Sequence, residues 1–290
     1  MISIVYFLEM ATRKISAIKY TAGQPRKTSE ALAGEEALQI KINGKPYTIT
    51  MRTPGQEKML AVGLLFTERV IRHPGDILDT SEVPAESGEH TLIVNIQVIE
   101  EALEGKNLFN RSIASSASCG VCGKIELCDL VTPGESIVSA KKLDICLIPD
   151  LLQKMHAEQS TFEMTGGSHA AAVFTIDGEL LSVKEDIGRH NAVDKVIGDL
   201  FLRNTLHQAD ILFISGRVSF EIVAKCAAAS IPFLLAVSAP SSLAVDFCRR
   251  NGITLLGFCR EDRATVYAGD ENILEKTLAA QPVALSFKES

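Results

Sequence analysis

Short apolar runs separated by polar loops dominate the chain, and their period changes along it. In the first half, ALQIKI (37–42) and YTITMR (47–52) alternate apolar and polar positions on either side of Asn43-Gly44. That dipeptide suits a tight turn, so the pattern predicts a pair of hairpin strands. Thr53-Pro54 then opens a helix with Met59, Val62, Gly63 and Phe66 at helical spacing, and HTLIVNIQV (90–98) reads as a further strand. Residues 100–118 are polar, rich in Ser and Ala and without periodicity, which predicts a loop.

The pattern becomes more regular from about residue 146. LIPDLLQKMHAEQ (147–159) predicts a helix, and AAVFTI, Asp177-Gly178 and ELLSVK predict a second hairpin. In NAVDKVIGDLFLRN (191–204), Ala192, Val193, Val196, Ile197, Leu200 and Phe201 share one helical face. ILFI (211–214) and FLLAV (233–237) are continuous apolar runs, each followed by a polar loop and a helix, as expected of strands buried on both faces. TLLGF and ATVYAG supply two more strands. The expected fold class is therefore α/β, a three-layer arrangement with a mixed sheet over 146–290. A smaller N-terminal α+β domain is assigned to 31–145 and an N-terminal extension to 1–30. The boundary rests on the charged AKKLD stretch (140–144) and on Pro149.

Composition excludes several classes. The 290 residues are 46% hydrophobic and 22% charged, which is ordinary for a folded globular chain and argues against disordered or fibrous proteins. A net charge of −7 lacks the basic excess of a nucleic-acid binder, so no nucleic-acid partner is expected. The apolar opening MISIVYFLEM breaks at Glu9 and has no charged leader, so neither an export signal nor a membrane span is expected. Seven cysteines, irregularly spaced apart from one pair, fit a reducing, cytoplasmic setting.

Ligands of open α/β sheets lie at the carboxyl ends of the strands. Two loops there are rich in serine, Ser215-Gly216-Arg217-Val218-Ser219 and Ser238-Ala239-Pro240-Ser241-Ser242. Such serines cap the following helix, and exposed amides at a helix N-terminus favour phosphate. Arg189, Arg217, Arg260 and Arg263 fall just after predicted strands or at a helix entrance, which suits a phosphate-rich anion. The plainer reading makes the serines simple caps and the arginines solvated. The stretch KEDIGRHNAVDKVIG (184–198) is the densest cluster, with Glu185, Asp186, Arg189, His190, Asn191 and Asp194 at a strand-to-helix junction. His190 is a candidate acid or base because its ordinary pKa is near neutrality. Against this stands a helix cap with Asp186 and Arg189 paired at the surface. In TGGSHAA (165–171), His169 is either structural or part of the same pocket.

Cys119-Gly120-Val121-Cys122 lies on the Ser-rich loop. Zinc normally takes four ligands, and no second CxxC or His pair completes a site, so no metal is expected. A zinc deaminase needs H-x-E before P-C-x-x-C, and here both the order and the glutamate are wrong. A thioredoxin-like site places CxxC between a strand and a helix start, which a Ser-rich loop fits poorly. Sulfur transfer suits a thiolate on a flexible arm: Gly120 and Gly123 loosen it, and Lys124 and Arg111 favour the thiolate. Cys122 then either relays the sulfur or expels it by closing a disulfide. Buried structural cysteines remain an open alternative.

The ordered motifs SxSCGVCGK, TGGSHAA, KEDIGRHNAVDKVIG, SGRVSFEIVAK, AVSAPSSLAVD and GFCREDRATVYAG resemble the formate dehydrogenase accessory sulfurtransferase family, FdhD, over about residues 35–270. The resemblance implies a cytoplasmic homodimer that takes sulfur from a cysteine desulfurase. The sulfur goes to the molybdenum cofactor, bis-molybdopterin guanine dinucleotide, before insertion into formate dehydrogenase. It also implies a second domain like the cytidine deaminase fold without its zinc. Cys119 would bear the persulfide with Cys122 as its partner, and Phe258, Cys259, Arg260, Glu261, Asp262 and Arg263 would bind the cofactor. Arg217 and Ser219, with Arg189 and His190, are added to that site from the loop chemistry: Arg217, Arg260 and Arg263 would hold the phosphates of the guanine nucleotide moieties, and His190 would be a pocket ligand or proton shuttle. Two alternatives stay open, a non-enzymatic cofactor-binding chaperone and a dithiol oxidoreductase.

Overall fold

The structure, a computed structural model, describes residues 11–85, 91–106, 137 and 139–274. Strands β1 (Thr12–Thr21) and β2 (Gln24–Ala33) form a two-stranded antiparallel ribbon in the stretch assigned to an N-terminal extension. The ribbon runs past residue 30 and leads directly into the next strand.

β3 (Glu36–Ile42) and β4 (Lys45–Arg52) are the predicted hairpin. Asn43 and Gly44 turn it with φ of 49° and 78°, both left-handed, as a two-residue turn of this kind requires. β5 (Ile77–Pro84) and β6 (Thr91–Val98) complete a four-stranded sheet in the order β4-β3-β6-β5, in which β3 and β6 are parallel. Alternation decides its faces: Leu38, Ile40, Ile42, Val94, Ile96 and Val98 point to one side and pack on helix α1 (Glu57–Thr67). A single turn, α2 (Glu100–Leu103), follows.

Helices α3 (Ile148–Ala157) and α4 (Ser160–Thr165) precede the hairpin β7 (His169–Phe174) and β8 (Leu180–Asp186). Then come α5 (Arg189–Leu202), β9 (Ile211–Ile214), α6 (Phe220–Ala228), β10 (Phe233–Ala236), α7 (Ser242–Asn251), β11 (Thr254–Gly257) and β12 (Thr265–Ala268). The six strands form one mixed sheet, β12-β11-β10-β9-β7-β8. β9, β10 and β11 are parallel, while β7, β8 and β12 each run antiparallel to a neighbour. Both faces are covered, so the apolar runs are continuous: Leu212, Ile214, Leu234 and Ala236 meet α5, α6 and α7, whereas Ile211, Phe213, Phe233 and Leu235 meet α3. This is the expected three-layer mixed α/β arrangement.

Helix α5 is buried from Asn191 to Phe201 on every side, because α1 lies along its outer face. Glycines allow that approach. A Cβ on Gly63 would sit 1.8 Å from the Asp194 carbonyl oxygen, and one on Gly198 would sit 1.9 Å from that of Met59. No helix among the described residues is long and apolar enough to cross a membrane.

Candidate functional site

The parallel strands β9, β10 and β11 deliver three loops to one edge of the sheet, and backbone bonds stitch those loops side by side. The Val218 amide donates to the Ala239 carbonyl (3.1 Å), and the Ser241 amide donates back to that of Val218 (2.9 Å). The Phe258 amide reaches the Ser238 carbonyl (3.2 Å) and the Cys259 amide that of Ala236 (3.0 Å). Because β7 runs antiparallel to β9, its first residue, His169, lies at the same edge. The opposite register position is Asp186 at the end of β8. Residues from three separated motifs therefore share one rim.

Gly216 shows how tightly one part of that rim is built. A Cβ there would lie 3.4 Å from both Arg189 Cβ and His169 Nδ1, so the Arg189 and His169 side chains flank the loop after β9. Burial, followed by the positive charges of Arg189 and Arg217, holds the His169 pKa below its ordinary value despite Asp186. His190 follows Arg189 in the first turn of α5, and its Nε2 lies 3.2 Å from Ser219 Oγ and 3.9 Å from Glu221. Burial, with Arg189, Lys225 and His169 adding to it, lowers the His190 pKa to about 3, so the ring is neutral near pH 7. A neutral imidazole opposite a hydroxyl exchanges one hydrogen bond, its direction set by the tautomer.

Two expectations about the serines separate here. Ser241 caps α7 by accepting the Ala244 amide at 3.2 Å. Ser219 stands at the N-cap of α6 but makes no capping bond, its hydroxyl being engaged with His190. Gly188 at the head of α5 has no side chain to cap with. Two helix N-termini thus reach the rim without a cap from their own N-cap residues, a setting that favours anions. Arg189 Nε is buried and without a hydrogen-bond partner among the described residues.

The remaining candidates divide by exposure. Arg217, Phe258, Glu261, Asp262 and Arg263 face solvent, Phe258 in the left-handed region at φ 52°. Cys259 is fully buried in the core beneath the loop, and burial raises its thiol pKa to about 11. Arg260 is tied inward: its Nη1 donates to the carbonyls of Val237 (2.6 Å) and Cys259 (2.8 Å), fastening the 258–263 loop to the end of β10. Cys119 and Cys122, with Lys124 and Arg111, lie outside the described residues.

The acidic members of the 184–198 cluster turn away from the rim, a correction to their reading as converging ligand groups. Glu185 accepts the amides of Thr161 and Phe162 at 2.8 Å each and the Ser168 hydroxyl at 2.6 Å, which caps α4. Asp194 accepts from Lys225 Nζ (2.8 Å) and Thr67 Oγ1 (2.8 Å). Asp186 does not pair with Arg189. Its Oδ2 lies 2.7 Å from Lys195 Nζ and accepts the Thr53 amide at 3.1 Å, while Oδ1 accepts from Gly188 N and Asn191 Nδ2. Lys195 also donates to the Thr53 and Glu185 carbonyls (3.0 and 3.1 Å). Lys195, not singled out from the sequence, and Thr53, read there as opening a helix that in fact begins at Glu57, thus hold the α5 N-terminus. The trace of Lys195 in the sequence is one lysine beside the apolar stripe of α5.

The model of the FdhD/NarQ family matches residues 33–274. A protein of Streptomyces avermitilis described as sulfur carrier protein FdhD is 38% identical over 277 residues, covering 93% of this chain and 98% of its own length. A Mycobacterium tuberculosis protein of the same description is 42% identical over 265 residues, covering 87% and 95%. A Sulfolobus acidocaldarius relative, also so described, is 37% identical over 91% of this chain and 99% of its own. Among solved structures, that of a proposed formate dehydrogenase accessory protein from Desulfotalea psychrophila superposes with a TM-score of 0.72 at 21% identity, over 91% of this chain and 100% of that one, a likeness of fold. With the match spanning both sheets and every loop of the rim, the chain belongs to the FdhD/NarQ family.

Proposed function

We propose that this protein carries sulfur as a persulfide on Cys119 in the cytoplasm and serves the maturation of a formate dehydrogenase. A cysteine desulfurase supplies the sulfur, and the client substrate is the molybdenum cofactor in its bis-molybdopterin guanine dinucleotide form, held at the carboxyl edge of the six-stranded sheet. The observation that carries the reading is membership of a family whose relatives are described as sulfur carriers, in a chain with a single CxxC pair. The rim's chemistry supports the client. Arg189 has a buried donor to spare, α5 and α6 open without caps from their N-cap residues, and Arg217 is exposed beside them, a donor set suited to pyrophosphate oxygens. Phe258 offers an exposed ring to a planar heterocycle, and neutral His190 adds a partner without charge. The mixed strand order and helices on both faces support a cytidine-deaminase-like reading of the second half.

Loading is a thiol exchange. The Cys119 thiolate attacks the outer sulfur of the donor persulfide, a new S–S bond forms at Cys119, and the donor cysteine leaves as a thiolate. No net oxidation occurs. In one mode of delivery the acceptor takes that outer sulfur and Cys119 leaves as a thiolate. In the other, Cys122 attacks the inner sulfur and hydrosulfide departs, which leaves a disulfide that a cellular thiol must reduce.

Intact-protein mass spectrometry after incubation with a cysteine desulfurase and L-cysteine tests this. One added sulfur that reductant removes, that Cys119→Ala abolishes and that Cys122→Ala retains is the expected result. No added sulfur on the wild type with a competent desulfurase would overturn it and favour the cofactor-binding chaperone.

A further inference from the structure

Glu221 stands in the first turn of α6, and no Lys or Arg among the described residues pairs with it. Its ordinary partner on a helix would be Lys225, four residues on. Lys225 is committed elsewhere: its Nζ lies 2.8 Å from each Asp194 carboxylate oxygen and 3.1 Å from Thr67 Oγ1. The Glu221 carboxylate lies instead 3.9 Å from His190 Nε2, and both side chains are mostly buried. That separation is too long for a hydrogen bond, but the charge is still felt because both groups are largely withdrawn from water.

The His190 ring is neutral near pH 7 and so carries one N–H, on Nδ1 or on Nε2. A carboxylate beside Nε2 favours the proton there, because the other tautomer sets the Nε2 lone pair against a negative oxygen. The choice passes on to Ser219, whose Oγ lies 3.2 Å from the same nitrogen. With Nε2 protonated, the ring donates, Ser219 Oγ accepts, and the hydroxyl proton is free to turn outward. With Nε2 bare, the hydroxyl donates to the ring and only oxygen lone pairs remain for a ligand. The first arrangement attracts an anion and the second repels one.

What surrounds Ser219 calls for the first. It is the N-cap residue of α6 yet makes no capping bond, so the helix entrance is left to an outside acceptor. Arg189, next to His190 in sequence, has a buried Nε without a partner, and its Cβ flanks Gly216, three residues before Ser219.

We propose that Glu221 is a positioning residue: it fixes the His190 proton on Nε2 and so turns Ser219 into a hydroxyl donor toward a phosphate oxygen at the α6 entrance. This role rests on the reading of the rim as a phosphate-binding edge, and it accounts for an acid without a cationic partner beside an anion site.

Nitrogen-15 NMR of the ring, assigned by comparison with His190→Gln, tests the tautomer with no ligand present. In the wild type Nε2 should be the protonated nitrogen and Nδ1 the bare one, and Glu221→Leu should shift the proton toward Nδ1. Isothermal calorimetry with guanosine diphosphate tests the consequence. Ser219→Ala should bind it about tenfold more weakly, and Ser219→Thr, which keeps the hydroxyl, within about threefold of wild type. Glu221→Leu should bind it about threefold or more weakly, although removing a negative charge beside an anion would by itself strengthen binding. A wild type protonated on Nδ1, a tautomer indifferent to Glu221→Leu, equal affinity in Ser219→Ala, or tighter binding by Glu221→Leu would overturn this role and leave the phosphate-binding rim standing. A wild type that binds no guanosine diphosphate would overturn the rim's phosphate reading itself, and the donor role of Ser219 with it.

Discussion

Lys195 Nζ lies 2.7 Å from Asp186 Oδ2, and neither side chain has any exposed surface. The pair joins the two halves of the chain at the point where the candidate site begins. Asp186 holds the Thr53 and Gly188 amides, and Lys195 holds the Thr53 and Glu185 carbonyls. Lys195→Met should therefore cost about 3–5 kcal/mol, because it leaves a buried carboxylate without its counter-charge. Urea unfolding monitored by circular dichroism reads the loss. A midpoint within error of wild type would show that the carboxylate finds another partner.

Gly63→Ala should destabilise by about 1–3 kcal/mol or more, since its Cβ would meet a backbone carbonyl that cannot swing aside. The Gly198→Ala variant meets the same obstacle from the other helix. Combining the two should cost less than the sum of the separate losses, because one displacement of α1 from α5 relieves both. Thermal melts of the three variants give the comparison.

His190 contributes a pH dependence of defined sign. Its folded pKa of about 3 lies below the ordinary 6.5, so between those values the unfolded chain takes up a proton that the folded chain does not. That part of the stability is complete above pH 6.5 and is lost as pH falls toward 3. His190→Gln should flatten the stability profile across this window by on the order of a few kcal/mol. Denaturant midpoints for both proteins at matched pH values isolate the contribution of His190 from the carboxylates that titrate alongside.

Arg260 and Arg217 should separate into a loop fastener and a ligand contact. Arg260→Ala loses two bonds to backbone carbonyls and should cost about 1–3 kcal/mol. Exposed Arg217→Ala should change stability by less than about 0.5 kcal/mol while weakening guanosine diphosphate binding by about tenfold, as loss of one charge-assisted phosphate contact would. Urea titration and isothermal calorimetry measure the two quantities. Equal nucleotide affinity in Arg217→Ala and wild type would remove that arginine from the site.

Local chemistry made much of this protein legible. Asn43-Gly44 specifies a turn whatever surrounds it, and ILFI at 211–214 occupies the strand positions its pattern predicts, because burial on two faces demands an unbroken apolar run. The loops after β9 and β10 and the entrance of α5 were visible as clusters of serine, arginine and histidine. Where each side chain points was not, since that depends on partners far along the chain. Ser219 could cap α6 or meet His190, and only the adjacency of α5 and α6 chooses His190. Asp186 could pair with nearby Arg189 or with Lys195. The packing of Thr53 over the α5 entrance selects Lys195, because a desolvated carboxylate is stable only where every lone pair is met. Cys259 sits in a motif of polar residues yet faces the core, since the chain turns at Phe258 in the left-handed region and the Cys259 amide bonds the Ala236 carbonyl at the end of β10. The polar, charged stretch 12–33, without an apolar stripe of its own, gave no core signal. Its folding as a ribbon rests on cross-strand backbone bonds and on the packing of β2 against α4, neither of which leaves a mark in the pattern of hydrophobic positions.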